Sequence, residues 1–248
     1  MNTKRMAGIA VVALLVLFPL VYLFFKSSSA APVNDPAPVA GAARQNDISA
    51  LENLVKSDPS FDNLVNLSMA YINRQMPGKS IDHLKKAISI NPQSAVAYNN
   101  LGVAYTMLQQ YQNGIDACSH ALQIDTSFQL ARNNLKWASD EKSKVLAALA
   151  GQEKTPADKR DVAFYTAQGL NYFKIGEYGK SIETWNKIFE LDVKNVTALN
   201  NIGTAFMMKN QVEDAIALFK KAIDLEPGNQ LAKNNLAWAL DEKAKAGK

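Results

Sequence analysis

Side chains suited to acid–base or nucleophilic chemistry are few in this sequence of 248 residues. It contains two histidines, His83 and His120, and one cysteine, Cys118. Neither histidine has cysteine or carboxylate neighbours at the spacing of a metal site or a catalytic triad. The sequence also lacks a P-loop, a glycine-rich dinucleotide turn and an HExxH motif. It therefore predicts no catalytic residue, no metal and no cofactor, and a protein that is not an enzyme.

Asparagine, in contrast, recurs at a fixed interval. Asn66, Asn100 and Asn134 are 34 residues apart, and so are Asn201 and Asn235. A side-chain amide offers both a donor and an acceptor, so a row of amides can bond the main chain of a peptide whatever its side chains are. The alternative is that each asparagine is simply a polar residue on an exposed helix face, copied by duplication. The sequence leaves both interpretations open.

The net charge of +4 does not indicate a nucleic-acid ligand. Three of the 27 basic residues lie within the first 26 positions, where there is no acidic residue. The remainder holds 24 basic and 23 acidic residues and is nearly neutral. Because binding to nucleic acid requires several phosphates to be neutralised, we expect no nucleic-acid partner.

An apolar segment occupies residues 7–25, where nineteen consecutive residues carry no charge. As a helix it would span about 28 Å, close to the thickness of the hydrocarbon core of a bilayer. We expect residues 1–26 to be a transmembrane anchor or an uncleaved signal, although Ser28 and Ala30 fit a cleavage site. The basic residues before the segment predict a single pass with the N-terminus in the cytoplasm. The body would then be extracytoplasmic, and periplasmic if the source is Gram-negative.

Residues 27–46 are rich in serine, alanine and proline. Their only large apolar side chains are two valines, so they cannot bury enough surface to offset the entropy lost on ordering. The sequence predicts a flexible tether that keeps the body near the membrane.

The rest of the chain contains an internal duplication with an offset of 101 residues. Residues 97–108, AYNNLGVAYTML, align with residues 198–209, ALNNIGTAFMMK. Residues 129–142 align with residues 230–243 and are identical at 11 of 14 positions. The body is therefore expected to consist of two similar modules.

Each half also repeats at an interval of 34 residues, with bulky and small residues at fixed places. The residues that carry this pattern are Leu64, Leu67, Ser68, Tyr71, Ser80, Leu84, Ala87 and Pro92, then Tyr98, Leu101, Gly102, Tyr105, Gly114, Cys118 and Ala121, then Tyr165, Gly169, Tyr172, Ser181 and Trp185, then Leu199, Ile202, Gly203, Phe206, Ala215, Phe219, Ala222 and Pro227. The pattern closely resembles the tetratricopeptide repeat (TPR) family, here of the membrane-anchored bacterial type. Thr126 and Val193 depart from it, since they replace the terminal proline.

The resemblance implies an all-α fold, a helical-hairpin solenoid (TPR superhelix) preceded by one N-terminal transmembrane helix. Single helix pairs have too little core to be stable alone, so they must stack and end in a helix with a polar outer face. The predicted order is module 1 at 47–150 (repeats 61–94 and 95–128, capping helix 129–150), a linker at 151–161, and module 2 at 162–248 (repeats 162–195 and 196–229, capping helix 230–246).

In this family the first helices of successive repeats line a concave groove. The resemblance places the following candidates for peptide binding there: Asn66, Asn100, Asn134, Asn201, Asn235, Asn99, Asn200, Met107, Phe173, Met207, Met208, Trp137 and Trp238. The methionines suit a groove that adapts to different apolar ligands. The family's carboxylate clamp, which captures acidic chaperone C-termini, is absent, because Val65, Met69, Leu130 and Asn134 occupy its basic and amide positions.

The function expected from these features is a non-catalytic, membrane-tethered scaffold that binds protein or peptide segments during assembly of an envelope complex. Its membrane contact would be through residues 7–25. Two alternatives remain open at this stage: an accessory recruiting subunit of a membrane enzyme such as a glycosyltransferase, and a self-assembling protein whose tether or capping helix enters a neighbour's groove.

Overall fold

The computed structural model describes residues 47–246, and within that range the chain is all α-helical. The helices are α1 (Ile48–Ser57), α2 (Phe61–Asn73), α3 (Pro77–Ile90), α4 (Ala95–Met107), α5 (Tyr111–Ile124), α6 (Gln129–Glu153), α7 (Val162–Lys174), α8 (Tyr178–Leu191), α9 (Val196–Met208), α10 (Val212–Leu225) and α11 (Gln230–Ala246). None of these eleven helices is long and apolar enough to cross a bilayer. The predicted anchor at 1–26 and the tether at 27–46 lie outside the described residues.

The helix boundaries reproduce the duplication without a shift of a single residue. Helices α7, α8, α9 and α10 begin and end 101 positions after α2, α3, α4 and α5, and α11 begins 101 positions after α6. The described chain therefore forms helical hairpins in series, each made of a first and a second helix. This confirms the predicted all-α solenoid.

The turns inside the hairpins have one shared geometry. The first helix of each hairpin is followed by a residue with positive φ: Gln75 at 58°, Gln109 at 59°, Gly176 at 82° and Asn210 at 59°. The next amide then bonds back into the helix, as Met76 N does to Tyr71 O at 2.8 Å. This left-handed cap satisfies terminal carbonyl groups and reverses the chain, at a cost of about 1 kcal/mol where the residue is not glycine.

Side-chain caps fix where first helices begin. The Ser94 hydroxyl accepts from Ala97 N at 3.1 Å, and the Asp161 carboxylate accepts from Phe164 N at 2.8 Å. Asn195, at the position equivalent to Ser94, accepts from Ala198 N at 2.9 Å. These bonds satisfy amide groups that have no partner in the first turn, so each start site is encoded locally.

Close contact inside the hairpins depends on glycine, most clearly where an aromatic residue faces it. A Cβ atom on Gly203 would lie 2.5 Å from Cε1 of Phe219, and one on Gly169 would lie 2.7 Å from Nε1 of Trp185. Both aromatic side chains are fully buried. The small residues thus let a second helix place its largest side chain against the first helix.

The core is a row of small clusters, each shared by neighbouring helices. Leu84, Leu101, Ala104 and Ala117 form one cluster between α3, α4 and α5. Because no cluster is shared by the whole described chain, the helices depend on their neighbours for stability, as in other repeat proteins.

The two halves meet at α6, which continues to Glu153 and so extends into the segment predicted as a linker. Asn171 of α7 donates to Gln152 of α6 at 3.4 Å, and the Tyr178 hydroxyl donates to Asn113 Oδ1 at 3.3 Å. The ammonium of Lys142 also donates to Gln112. Helix α6 thus caps the first half with its N-terminal part and packs on the second half with its C-terminal part.

The α4–α5 turn at this junction is less exposed than its equivalent in the second half, the α9–α10 turn. At the α4–α5 turn, which the second half covers, four residues are half-buried: Leu108, Gln109, Gln112 and Asn113. The equivalent residues of the α9–α10 turn, 101 positions later, are exposed: Lys209, Asn210, Glu213 and Asp214. The surface covered by the second half is neutral, whereas its uncovered copy is mostly charged. The equivalent residues at the α9–α10 turn thus present a polar surface where no second-half copy covers them.

Candidate peptide-binding groove

The predicted site residues lie on the first helices α4, α6, α7, α9 and α11, together with Asn66 on α2. We call the surface of these six helices the first-helix groove. The structure divides its candidates by burial. Buried are Asn99, Asn134, Asn200 and Met207; half-buried are Asn100, Asn201, Asn235, Met107, Phe173, Met208 and Trp137; exposed are Asn66 and Trp238.

The sequence led us to expect Asn99 and Asn134 on the ligand side of the groove, but the structure buries both. They are 1% and 2% exposed, and Asn134 Nδ2 donates to Asn99 Oδ1 at 2.9 Å. The two side chains bridge α4 and α6. Burying an amide without partners is unfavourable, so each satisfies the other and fixes the spacing of consecutive first helices. The interpretation of these two asparagines as ligand contacts is corrected to a structural role.

The second half repeats this bridge in a looser form. Asn235 Nδ2 lies 3.5 Å from Asn200 Oδ1, and Asn200 Nδ2 donates to Val196 O at 3.4 Å. Asn200 is buried, whereas Asn235 is only half-buried. The longer distance and greater exposure indicate a weaker link between α9 and α11 than between α4 and α6.

Asn100 and Asn201 carry the free hydrogen-bonding capacity of the groove. Their Nδ2 atoms are buried and have no hydrogen-bond partner among the described residues. Asn100 Oδ1 accepts from Asn99 Nδ2 at 3.3 Å, which directs its amide nitrogen away from the bridge. An unsatisfied buried donor is unfavourable by about 1–3 kcal/mol. Because the two atoms are buried, each side chain must rotate before a ligand acceptor can reach it, and that acceptor would then remove the penalty once in each half.

The apolar candidates also separate into two groups. Met207 is buried in a core cluster with Phe219 and Ala239, so it is a packing residue and not a ligand contact. Met107, Phe173 and Met208 keep part of their surface accessible. Phe173 packs edge to face on Tyr178 with ring centroids 5.2 Å apart, which orients its ring at the junction of the halves.

The two tryptophans occupy equivalent places on the capping helices. Trp137 is half-buried, whereas Trp238 is 38% exposed. Trp137 lies on α6, which packs on α7, whereas no described helix follows α11. Trp238 thus leaves an aromatic surface accessible on the last described helix.

Lys174 is a groove residue that the sequence reasoning missed. It lies at the end of α7, where the 34-residue pattern places Met107 and Met208 in neighbouring repeats. It is half-buried and has no acidic partner among the described residues, and burial lowers its pKa. The replacement of methionine by lysine in the repeat pattern was the signal that could have identified it.

The residues considered for chemistry each make contacts typical of structural residues. Cys118 is buried against Gly102, and burial raises the pKa of its thiol to about 12, so it stays protonated near neutral pH. His83 Nδ1 lies 2.9 Å from the carbonyl of Lys79, and the ring of His120 packs on Tyr98. Within residues 47–246 no group of three His, Cys, Asp or Glu side chains could hold a metal ion.

Comparisons with known proteins identify the repeats. Models of the tetratricopeptide repeat match residues 95–128 and 196–229, and a further TPR repeat model matches residues 78–109. FK506-binding protein 59 of Drosophila melanogaster is 35% identical over 78 residues, which are 32% of this chain and 18% of that protein. The peroxisomal targeting signal receptor of Kluyveromyces lactis is 22% identical over 199 residues, or 76% of this chain and 34% of that protein.

Among solved structures, the crystal structure of MamA has 27% sequence identity and a TM-score of 0.33, covering 73% of this chain and 86% of that one. The TPR2AB domain of yeast Sti1 in its pHSP90 complex has 18% identity and a TM-score of 0.39, covering 83% of this chain and 81% of that one. The chain spans only about a fifth to a third of the length of the two curated relatives named above. The family matches fall in both halves, so the all-α solenoid contains tetratricopeptide repeats in each half.

Proposed function

We propose that the protein is a non-catalytic scaffold, tethered to a membrane by residues 7–25, that holds extended protein segments in the first-helix groove during assembly of an envelope complex. The observation that supports the groove as the binding surface is the pair of unsatisfied amide donors, Asn100 and Asn201, at equivalent places in the two halves. A peptide carbonyl is the acceptor that matches them, because every residue of an extended segment supplies one.

The groove combines these donors with adaptable apolar surface. Met107 and Met208 are unbranched and polarisable, so they can repack around side chains of different shapes. Main-chain hydrogen bonds give affinity without reading the sequence, and apolar contact with Phe173 adds a preference for segments that carry a large hydrophobic residue. The ammonium of Lys174 favours an acidic group nearby, since burial leaves it without a counter-charge.

The placement of this groove outside the cytoplasm rests on the sequence. Basic residues precede the apolar segment at 7–25, and the tether at 27–46 carries one acidic and one basic residue. A reporter that is active only outside the cytoplasm, fused after Lys248, should be active. Activity of a cytoplasmic reporter at the same site would contradict the proposed topology.

A crosslinking pull-down from the native membrane tests the scaffold itself. The wild-type chain should capture a non-catalytic envelope protein, and the Asn100→Ala, Asn201→Ala double variant should capture at least about tenfold less, because two hydrogen bonds of about 1 kcal/mol each are lost. An unchanged yield would contradict the groove as the binding surface. A stoichiometric catalytic chain would point instead to a recruiting subunit, and capture of the same chain alone would point to self-assembly.

A further inference from the structure

A second accessible surface lies at the N-terminal end of the solenoid, between α1, α2 and α3. It is a cleft of about 510 Å³, which we call the α1–α3 cleft. Its floor is apolar: Leu64 and Leu67 are buried beneath it, and Val55 and Pro59 supply accessible apolar surface. On α2, Leu64 and Leu67 lie on one face, whereas Asn66 points to solvent on another. The cleft is thus separate from the first-helix groove.

Positive charge predominates at the rim of this cleft. Lys56 of α1 and Lys86 of α3 both line it, and neither ammonium has an acidic partner within residues 47–246. Glu52 is the only carboxylate among the lining residues. Its Oε1 accepts from the Tyr71 hydroxyl at 2.5 Å, so part of its hydrogen-bonding capacity is already used.

Other groups around Tyr71 do not neutralise the lysines. The ammonium of Lys79 lies over the Tyr71 ring, 5.5 Å from its centroid, and adds positive charge beside the cleft. His83 also lines the cleft, with its Nδ1 atom at the carbonyl of Lys79. The cleft therefore offers a hydrophobic floor and an excess of cationic groups.

The second half of the chain supplies an internal comparison, because its residues are equivalent at an offset of 101. Tyr165 replaces Leu64 and packs its ring against Phe164, with centroids 5.3 Å apart. Lys187 is equivalent to Lys86, but it pairs with Glu190 at 2.7 Å. Ser89 occupies the position of that glutamate in the first half. The copy thus has a bulkier residue on the floor and a neutralised lysine at the rim.

We propose that the α1–α3 cleft docks an acidic protein segment, with an apolar side chain against Val55 and Pro59 and a neighbouring carboxylate between Lys56 and Lys86. The apolar contact adds to the affinity, and the charges select acidic over neutral segments and speed their association. This site goes beyond the proposed groove, and neither depends on the other.

Fluorescence anisotropy with the full-length protein in detergent micelles tests the cleft. The probe is a fluorescein-labelled, amidated peptide in which glutamate alternates with leucine and phenylalanine, and its control has glutamine for each glutamate. The acidic peptide should bind about tenfold more tightly than the neutral one, and this preference should fade between about 0.05 and 0.5 M salt as screening increases. Equal affinity for both peptides would overturn the proposal.

Variants then locate the binding. Lys56→Glu with Lys86→Glu should remove the preference for the acidic peptide, whereas Lys187→Glu, at the equivalent place in the second half, should leave it unchanged. Val55→Ala removes accessible apolar surface from the cleft and should weaken binding of both peptides. If that variant does not fold, the variants of the exposed lysines Lys56 and Lys86 still test the proposal. A preference that survives the Lys56 and Lys86 changes, or that is lost in the Asn100→Ala, Asn201→Ala variant, would place binding elsewhere and refute the cleft.

Discussion

Replacing Asn134 with alanine separates the structural asparagines from those available to a ligand. In the wild type, Asn134 Nδ2 donates to Asn99 Oδ1 at 2.9 Å inside the buried interface between α4 and α6. The variant leaves the Asn99 oxygen buried without that donor, which is unfavourable by about 1–3 kcal/mol. We expect a loss of about 2 kcal/mol in the free energy of unfolding.

Urea denaturation followed by far-ultraviolet circular dichroism measures this loss. With a slope of about 2 kcal/mol per molar, the midpoint should fall by about 1 M. Asn201→Ala is the matched control, because its Nδ2 atom has no partner and its Oδ1 atom accepts no bond from the described residues. That variant should lose no stability and should gain about 1 kcal/mol or more, because it removes an unsatisfied buried donor.

A double-mutant cycle makes the test specific to the pair. If Asn99 and Asn134 stabilise the fold through each other, the Asn99→Ala, Asn134→Ala variant should lose less than the sum of the single variants, with a coupling of about 1 kcal/mol or more. Additive losses would show that the two residues contribute to stability through other contacts and not through the 2.9 Å hydrogen bond between them. A midpoint for Asn134→Ala equal to that of Asn201→Ala would refute the structural role altogether.

Three further changes follow from the same geometry. Burial raises the pKa of the Cys118 thiol from 9.0 to about 12, so between these pH values the native state binds more protons than the unfolded state. The free energy of unfolding should therefore fall by about 1.4 kcal/mol per pH unit in this range. Cys118→Ala should remove this component in urea titrations at alkaline pH. Lys174→Met should raise stability at pH 7, because burial disfavours the ammonium and lowers its pKa. Calorimetry should show this gain shrinking as the pH rises toward 10.5, because the folded lysine loses its charge before the unfolded one does. Gly203→Ala should cost about 3 kcal/mol or more in thermal melts, because its Cβ meets a buried ring at 2.5 Å, whereas Gly179→Ala, which meets nothing within 4 Å, should cost nothing.

The helices and their phase could be predicted from the sequence because the code for them is local. The 34-residue pattern places small residues such as Gly203 against aromatic residues such as Phe219, and the structure shows that contact. The offset of 101 residues likewise predicts helix boundaries that agree in both halves. The predicted modules 47–150 and 162–248 remain a prediction, which limited proteolysis between Lys154 and Asp161 would test.

The roles of individual asparagines could not be predicted from spacing. Asn99 and Asn100 are adjacent in the chain, yet one is buried against α6 and the other is left with an unsatisfied donor. Their side chains point about 100° apart on the helix, so the rotation between successive repeats decides which of them meets the neighbouring helix. That rotation depends on packing along the whole solenoid, and no local motif encodes it.

The extension of α6 has a similar origin. Gly151 and the charged residues after it predicted a break, but the helix continues to Glu153. Leu149 is buried, and Gln152 accepts a hydrogen bond from Asn171 on α7. Contact with the second half therefore stabilises the last turn of a helix that glycine alone would have weakened.

Site-specific photocrosslinking in the native membrane tests the central claim most directly. A photoreactive amino acid replaces Met107 or Met208 in the first-helix groove, and replaces the exposed Lys220 on the second helix α10 as the control. The account predicts the same protein partner crosslinked from both groove positions and not from Lys220, with the yield reduced by Asn100→Ala and Asn201→Ala. Crosslinks from Lys220 alone, or groove crosslinks that do not respond to either asparagine, would contradict it.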